Sequence, residues 1–411
     1  MALINEHFLK LPDSYFFSDI AKKVNSFRVT HPKTQVIDLG KEDVTLPLPS
    51  ITVEALHCAV DEMARQDTFR GYSPHQGYDF LVDAILKHDF VSKGIQLTPG
   101  EVFVTNSAKE SISNMSDLLR HDNSIGVTDP IYPLYIDANV SVGRAGALQD
   151  DGKWSNVVYM PCSYENHFVP RLPEQPIDII YLCYPDNPTG TVQRKAELRK
   201  WINYAIEHDT LILFDATYEA YIRDKDVPHS IYEIKGAKKV AVEFRSFSMS
   251  AGFTGLQCGY VVIPKELTAA TLDGRRIALT AKWERLSHIR FGTATYLAQR
   301  AAESLYTPEG KKAVKERTDY YLANAALLKE ALTACRLTVY GGENAPFLWV
   351  KTPDHLTSMK FFEHLLYETG IIVTPGVGFG PGGEGYVQFM ALCSRKECEE
   401  AVRRIRHWRI V

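Results

Sequence analysis

The sequence predicts an α/β protein, with a large domain on a doubly wound, mostly parallel sheet and a smaller α/β domain beside it. Three observations point there. From residue 50 to about 290, short apolar runs bounded by turn residues alternate with amphipathic stretches, the rhythm of strand–helix–strand units. The polar, glycine- and proline-containing motifs fall just after the apolar runs, at the carboxyl ends where open α/β sheets place ligand sites. A chain of 411 residues, 45% hydrophobic and 23% charged, is long enough for one large domain and a smaller one.

Residues 1–35 read as an arm with one helix, having Phe17, Ile20, Ala21 and Val24 at helical spacing and Pro32 past its end. A short strand over 36–39 leads into 40–49, where prolines forbid regular structure. Helices are expected at 51–65, 77–93 and 108–120, and strands at 101–105, 124–128, 177–183, 210–214 and 239–244. From Glu243 to Tyr260 the chain leaves a buried strand, crosses a turn of small residues and returns to apolar chain at 259–263, which is a loop held between two core strands. Ser246 and Ser248 flank Phe247, so both hydroxyls can face one side, and Gly252 and Gly255 let the backbone approach a ligand. A long helical stretch over 296–333 leads into strands at 337–340, 347–350 and 386–390. The expected division is 1–49 as arm and part of the small domain, 50–295 as the large cofactor-type domain, and 296–411 as the small C-terminal domain.

A net charge of -4 with no basic cluster argues against nucleic acid, leaving small molecules and other protein chains as partners. Seven cysteines lie scattered with no CxxC or metal-ligand spacing, so no metal site is expected and the thiols read as reduced. The first residues lack a basic segment followed by an apolar one, and no run reaches membrane-span length. The expected location is cytoplasmic.

The 243–260 loop, Ser14-Tyr15-Phe16, Arg70-Gly-Tyr72-Ser-Pro74, Thr105-Asn-Ser-Ala-Lys109, Asp129-Pro-Ile-Tyr-Pro133, Pro185-Asp-Asn-Pro-Thr-Gly190 and Leu213-Phe-Asp-Ala-Thr-Tyr218 resemble motifs of the LL-diaminopimelate aminotransferases, fold-type I enzymes that use pyridoxal phosphate, and the resemblance runs through nearly the whole chain. Ser14-Tyr15-Phe16 resembles the arm element whose tyrosine closes over the neighbouring subunit's site. Arg70-Gly-Tyr72-Ser-Pro74 resembles the segment that crosses a homodimer to the cofactor phosphate. Ser107, Ala108 and Lys109 occupy the phosphate-cradling turn from strand to helix. The resemblance implies that Tyr132 stacks on the pyridine ring, that Asn187 (in Pro185-Asp-Asn-Pro-Thr-Gly190) and Tyr218 bond the 3-oxygen, and that Asp215 holds the ring nitrogen protonated. Residues 374–380 match the family's C-terminal glycine turn. Ser246 and Ser248 begin its Ser-x-Ser-Lys loop.

Five positions depart from the family pattern. Met249 stands at the Schiff-base lysine, Gln257 at a phosphate-binding arginine, Gln388 at the arginine for the substrate carboxylate, Gly292 at an asparagine that orients substrate, and Glu42 at a glycine whose backbone meets that carboxylate. A thioether neither forms an imine nor moves a proton, and glutamine loses the bidentate charged contact. Arg245, Arg290 and Lys109 are the cations that could compensate, and their side-chain directions are open at this point.

The expectation from these departures is a divergent pseudoenzyme, a homodimer with pockets at the subunit interface. It has a degenerate cofactor site, no firmly bound cofactor and no lysine-dependent transamination, and it binds or converts a small metabolite through Asp215 and Tyr218. Two alternatives stand beside it. One is an enzyme using pyridoxal or pyridoxamine phosphate non-covalently, with His288 as proton shuttle, and the other is a non-catalytic dimeric scaffold or regulatory subunit.

Overall fold

The computed structural model describes residues 2–11 and 16–408, without the side chains of residues 16, 17 and 19. A seven-stranded sheet runs in the order Val102–Thr105, Gly259–Val262, Ala241–Ser246, Leu211–Asp215, Ile179–Cys183, Ile125–Asp129, Val157–Pro161. Only Gly259–Val262 runs against its neighbours. Most of these strands are buried at every position, as a sheet covered on both faces requires, and they are continuous apolar runs rather than alternating ones. Thr105, Asp129, Cys183, Asp215 and Ser246 therefore end side by side along one edge.

The other expected elements appear with local differences. Helix Ser50–Met63 is continuous, but the 77–93 stretch is Asp79–Ile85 followed by a wider π turn, Leu86–Phe90, and a last tight turn, Val91–Lys93, closed by left-handed Gly94. The 296–333 stretch splits into Tyr296–Ser304 and Pro308–Ala334 because Thr307 caps a new helix, accepting from Gly310 N at 3.0 Å, with Pro308 in its first turn. Tyr296–Ser304 packs with the large sheet: Ala298, Ala301, Ala302 and Leu305 belong to the same buried cluster as Val102, Ile212 and Tyr260.

The smaller sheet is antiparallel, in the order Val339–Gly341, Phe347–Lys351, Tyr386–Met390, Thr374–Pro375. Ile37 and Asp38 pair in parallel with Ile371 and Ile372, while Ile20, Val24 and Phe27 join the buried cluster under this sheet. The arm thus packs with the smaller sheet before the chain at 40–49 crosses toward the cavity at the ends of the large one. Helix Leu134–Ser141, strand Val157–Pro161, the hairpin Thr268–Ala270/Arg276–Ala278 and helices Ser358–Thr369 and Arg395–His407 complete the architecture. Among the described residues no helix is long and apolar enough to cross a membrane, no His/Cys/Asp/Glu group could hold a metal, and all seven cysteines are free.

Candidate functional site

The strand ends along that edge converge on a cavity of about 300 Å³. Beyond Val102–Thr105, Ser107 caps helix Ala108–Leu118, its Oγ accepting from Glu110 N at 3.1 Å. The N–H groups of Ala108 and Lys109 lie in the first turn, where no helical carbonyl reaches them, and this arrangement favours an anion. Tyr132 and Tyr135 follow Ile125–Asp129, and Asn187 follows Ile179–Cys183. Ser246, Ser248, Met249 and Gln257 come from the loop after Ala241–Ser246; Ser246 Oγ accepts from Ser248 N at 3.1 Å, and Gln257 is held in the left-handed region, φ 59°. Glu42 enters from the arm.

Asp215 ends its strand buried, with Oδ2 accepting from Tyr135 Oη at 2.7 Å and Oδ1 accepting from Thr217 N at 2.9 Å and Thr217 Oγ1 at 2.6 Å. Burial pushes its carboxyl above the ordinary range, against the pull of those hydrogen bonds. Sequence reasoning missed Tyr135 and Thr217; the signals were the Asp-x-Thr turn at 215–217 and a tyrosine one helical turn past Tyr132. Burial, together with the negative charge of Glu42, keeps the Tyr218 phenol protonated and therefore a donor.

Glu42 is turned inward, only partly exposed, and its Oε1 accepts from Tyr218 Oη at 2.5 Å and from Asn187 Nδ2 at 3.1 Å. Burial raises its pKa, the Tyr218 bond opposes that, Asp215 adds to the rise, and Lys109 lowers it. Gln388 is buried one layer behind, donating from Nε2 to Asn187 Oδ1 at 3.0 Å, so it positions Asn187 instead of facing the cavity.

Other expected site residues lie elsewhere. Tyr15 is outside the described residues. Tyr72 and Gly292 are exposed and do not line this chain's cavity. His288, the expected shuttle, stacks on His75 with ring centroids 3.6 Å apart, outside the cavity. Arg290 faces Asp117 at 3.3 Å on the surface, and Arg245 is buried between Glu243 (2.7 Å) and Glu219 (3.0 Å), so neither supplies the cavity with a cation. Arg245 lines a separate cavity of about 430 Å³ on the far side of Thr217 and Ser246. Lys109 is the lysine on the wall of the candidate site among the described residues.

The aminotransferase class I and II family model matches residues 34–405. The LL-diaminopimelate aminotransferase of Phocaeicola vulgatus is 63% identical over 408 residues, covering 99% of this chain and 100% of the relative. That of Lawsonia intracellularis is 48% identical, covering 98% of each. The solved L,L-diaminopimelate aminotransferase from Chlamydomonas reinhardtii superposes with a TM-score of 0.92 at 34% identity, covering 99% of this chain and 98% of that one.

These relatives correct the functional expectation drawn from the departures. Proteins 46–63% identical across essentially the full length are named LL-diaminopimelate aminotransferases, which overturns the pseudoenzyme with its degenerate site, and with it the metabolite-binder, the non-covalent enzyme and the scaffold. The family likewise overturns the expectation of no firmly bound cofactor. On the residues themselves, the cavity fits pyridoxal phosphate in part. Tyr132, Asn187, Asp215 and Tyr218 offer a ring face, two donors and a carboxylate, and the start of helix Ala108–Leu118 offers an anion seat. Position 249 does not fit a covalent attachment, because its thioether carries no amine, and Gln257 brings no charge to a phosphate.

Proposed function

Because the chain belongs to the LL-diaminopimelate aminotransferase family, within the class I and II aminotransferases, we propose that it transfers the amino group of a diaminopimelate-type amino acid to a 2-oxo acid, using pyridoxal phosphate in the cavity at the strand ends. The observation that carries this reading is that Tyr132, Asn187, Asp215 and Tyr218 line one cavity, within a full-length match at 63% identity. When bound, the cofactor supplies the electron sink that lets an amino group leave an α-carbon.

The chain's own residues supply the setting. Asp215, oriented by Tyr135 and Thr217, presents a carboxylate to a ring nitrogen. Asn187, fixed by Gln388, and Tyr218, both now donating to Glu42, are the donors that would meet an acceptor on the ring. Tyr132 provides a face to pack on, and Ser107–Lys109 an anion seat. The amine that holds and shuttles is not at 249; of the residues on the wall, Lys109 is the one that carries one.

We further read the active form as a homodimer. Phe69 and Tyr72 stand exposed on a surface segment with no role in their own cavity, as residues committed to a neighbouring subunit would. Seven unpaired cysteines suit a reducing, cytoplasmic setting. The test is glutamate formation from LL-diaminopimelate and 2-oxoglutarate with added pyridoxal phosphate. Turnover above the no-enzyme rate is expected, and none at any cofactor concentration would defeat the reading. Borohydride reduction followed by peptide mapping identifies which lysine, if any, carries the cofactor.

A further inference from the structure

The side chain of Glu42 occupies the two donors on which that functional reading depends. Its Oε1 takes the Tyr218 hydroxyl at 2.5 Å and the Asn187 amide at 3.1 Å, inside the cavity those residues line. Both donors are otherwise aimed at the cavity: Asn187 has its carbonyl turned back to Gln388, and Tyr218 packs its ring edge-on against Phe347 with centroids 5.0 Å apart. A ligand with an acceptor for these donors therefore meets the Tyr218 hydroxyl and one Asn187 N–H already engaged by Glu42.

The chain around Glu42 can release it. Backbone anchors stand on either side: Leu39 N donates to Ile372 O at 2.9 Å, and Thr45 N and Leu46 N donate to Tyr321 Oη at 2.9 and 2.8 Å. Between them the segment has no regular structure; Gly40 O accepts from Thr374 Oγ1 at 3.1 Å and Gly40 N donates to Asp38 Oδ1 at 3.0 Å, and beyond Gly40 it is tied by the Lys41–Asp43 pair at 2.8 Å, by Asp43 N to Lys41 O at 3.0 Å and by the Asp43 contact with Thr254. Glu42 can swing outward while those outer anchors hold. Its carboxylate would then regain water, offsetting part of the loss of two charge-assisted bonds.

We propose that Glu42 is an internal competitor for the cofactor's donors, a tethered carboxylate that must leave Asn187 and Tyr218 before a pyridine ring can take them. The inference rests on the functional reading above, because it assigns those donors to the ring. It makes Glu42 a residue that sets cofactor affinity without taking part in the chemistry.

The test is a fluorescence titration with pyridoxamine 5′-phosphate, which has no aldehyde to react with surface lysines, on the full chain and on its Glu42→Gly and Glu42→Gln forms. Glu42→Gly is expected to bind about tenfold tighter or more, a gain of one decade or beyond in Kd. Glu42→Gln keeps an acceptor but loses the charge, and falls between; should the glycine form fail to fold, it carries the test alone. Equal or weaker binding by the variants, with measurable binding by the parent, overturns the competitor and leaves the functional reading standing. Absence of binding in every folded form overturns both.

Discussion

The two cavities that share Thr217 and Ser246 treat buried charge in opposite ways. In the larger one Glu219 meets Arg245 at 3.0 Å and His229 at 2.7 Å; burial alone would raise its carboxyl, but the Arg245 charge and the His229 bond hold it down to about 2. In the smaller one Glu42 and Asp215 have hydroxyls and amides for partners and no paired cation, and burial pushes both up. Desolvation acts on all three, and the counter-charge decides the sign. The first cavity is a satisfied structural network, whereas the second keeps unpaired carboxylates facing an opening, as a site for a ligand does.

The comparison can be sharpened first at Met249. Met249→Lys adds an amine at the family's Schiff-base position, beside the one Lys109 already brings to the wall, and turnover in the diaminopimelate assay is expected to rise about 10²–10⁴-fold. An unchanged rate would mean that another group already does this work. On the structural side, Arg245→Met strands Glu243 and Glu219 without their cation and is expected to cost about 3–5 kcal/mol in urea unfolding. A loss under about 1 kcal/mol would place that network among weak surface pairs.

A third measurement uses pH. Burial raises the folded pKa of Glu42 above the ordinary glutamate value of about 4.5, so the folded state holds its proton longer than the unfolded chain does. Its contribution to stability therefore falls as pH rises from about 4.5 to the folded value and then stays level. Glu219 works the other way, adding stability above about 4.5 that is lost as pH falls toward about 2. The difference in Tm between Glu42→Gln and the parent should accordingly grow in favour of the variant as pH rises from 4.5, and a difference independent of pH would contradict the raised carboxyl. The smallest effect belongs to Arg290→Ala: its pair with Asp117 is exposed, so stability should move by no more than about 0.5 kcal/mol.

Much of this was legible in the sequence, for identifiable reasons. The apolar runs of the large sheet stand out because both of its faces are covered, and strand Tyr386–Met390 was read residue for residue. Strand Val157–Pro161, an edge strand that is only partly buried, was missed even though Val157–Met160 is an apolar run. The Asn187 turn and Asp215 were found because their motifs resemble the family's, the turn following one buried strand and Asp215 ending another. Side-chain direction was not legible. Whether Glu42 turns inward depends on packing between the arm and Asn187, 145 positions away, and Arg245 faces the other cavity because Glu243 and Glu219 await it there. The expectation of lost transamination came from weighing five replaced side chains in isolation; the relatives corrected it, and Gln388 shows one way a replacement keeps a role, by holding Asn187 in place.

The most direct test is a crystal structure of the protein soaked with pyridoxal 5′-phosphate. The account predicts a ring beside Tyr132 with its nitrogen on Asp215, its 3-oxygen on Asn187 and Tyr218, and Glu42 displaced from both donors. Glu42 still bound to Asn187 and Tyr218, with no ring in the cavity at saturating cofactor, would contradict it.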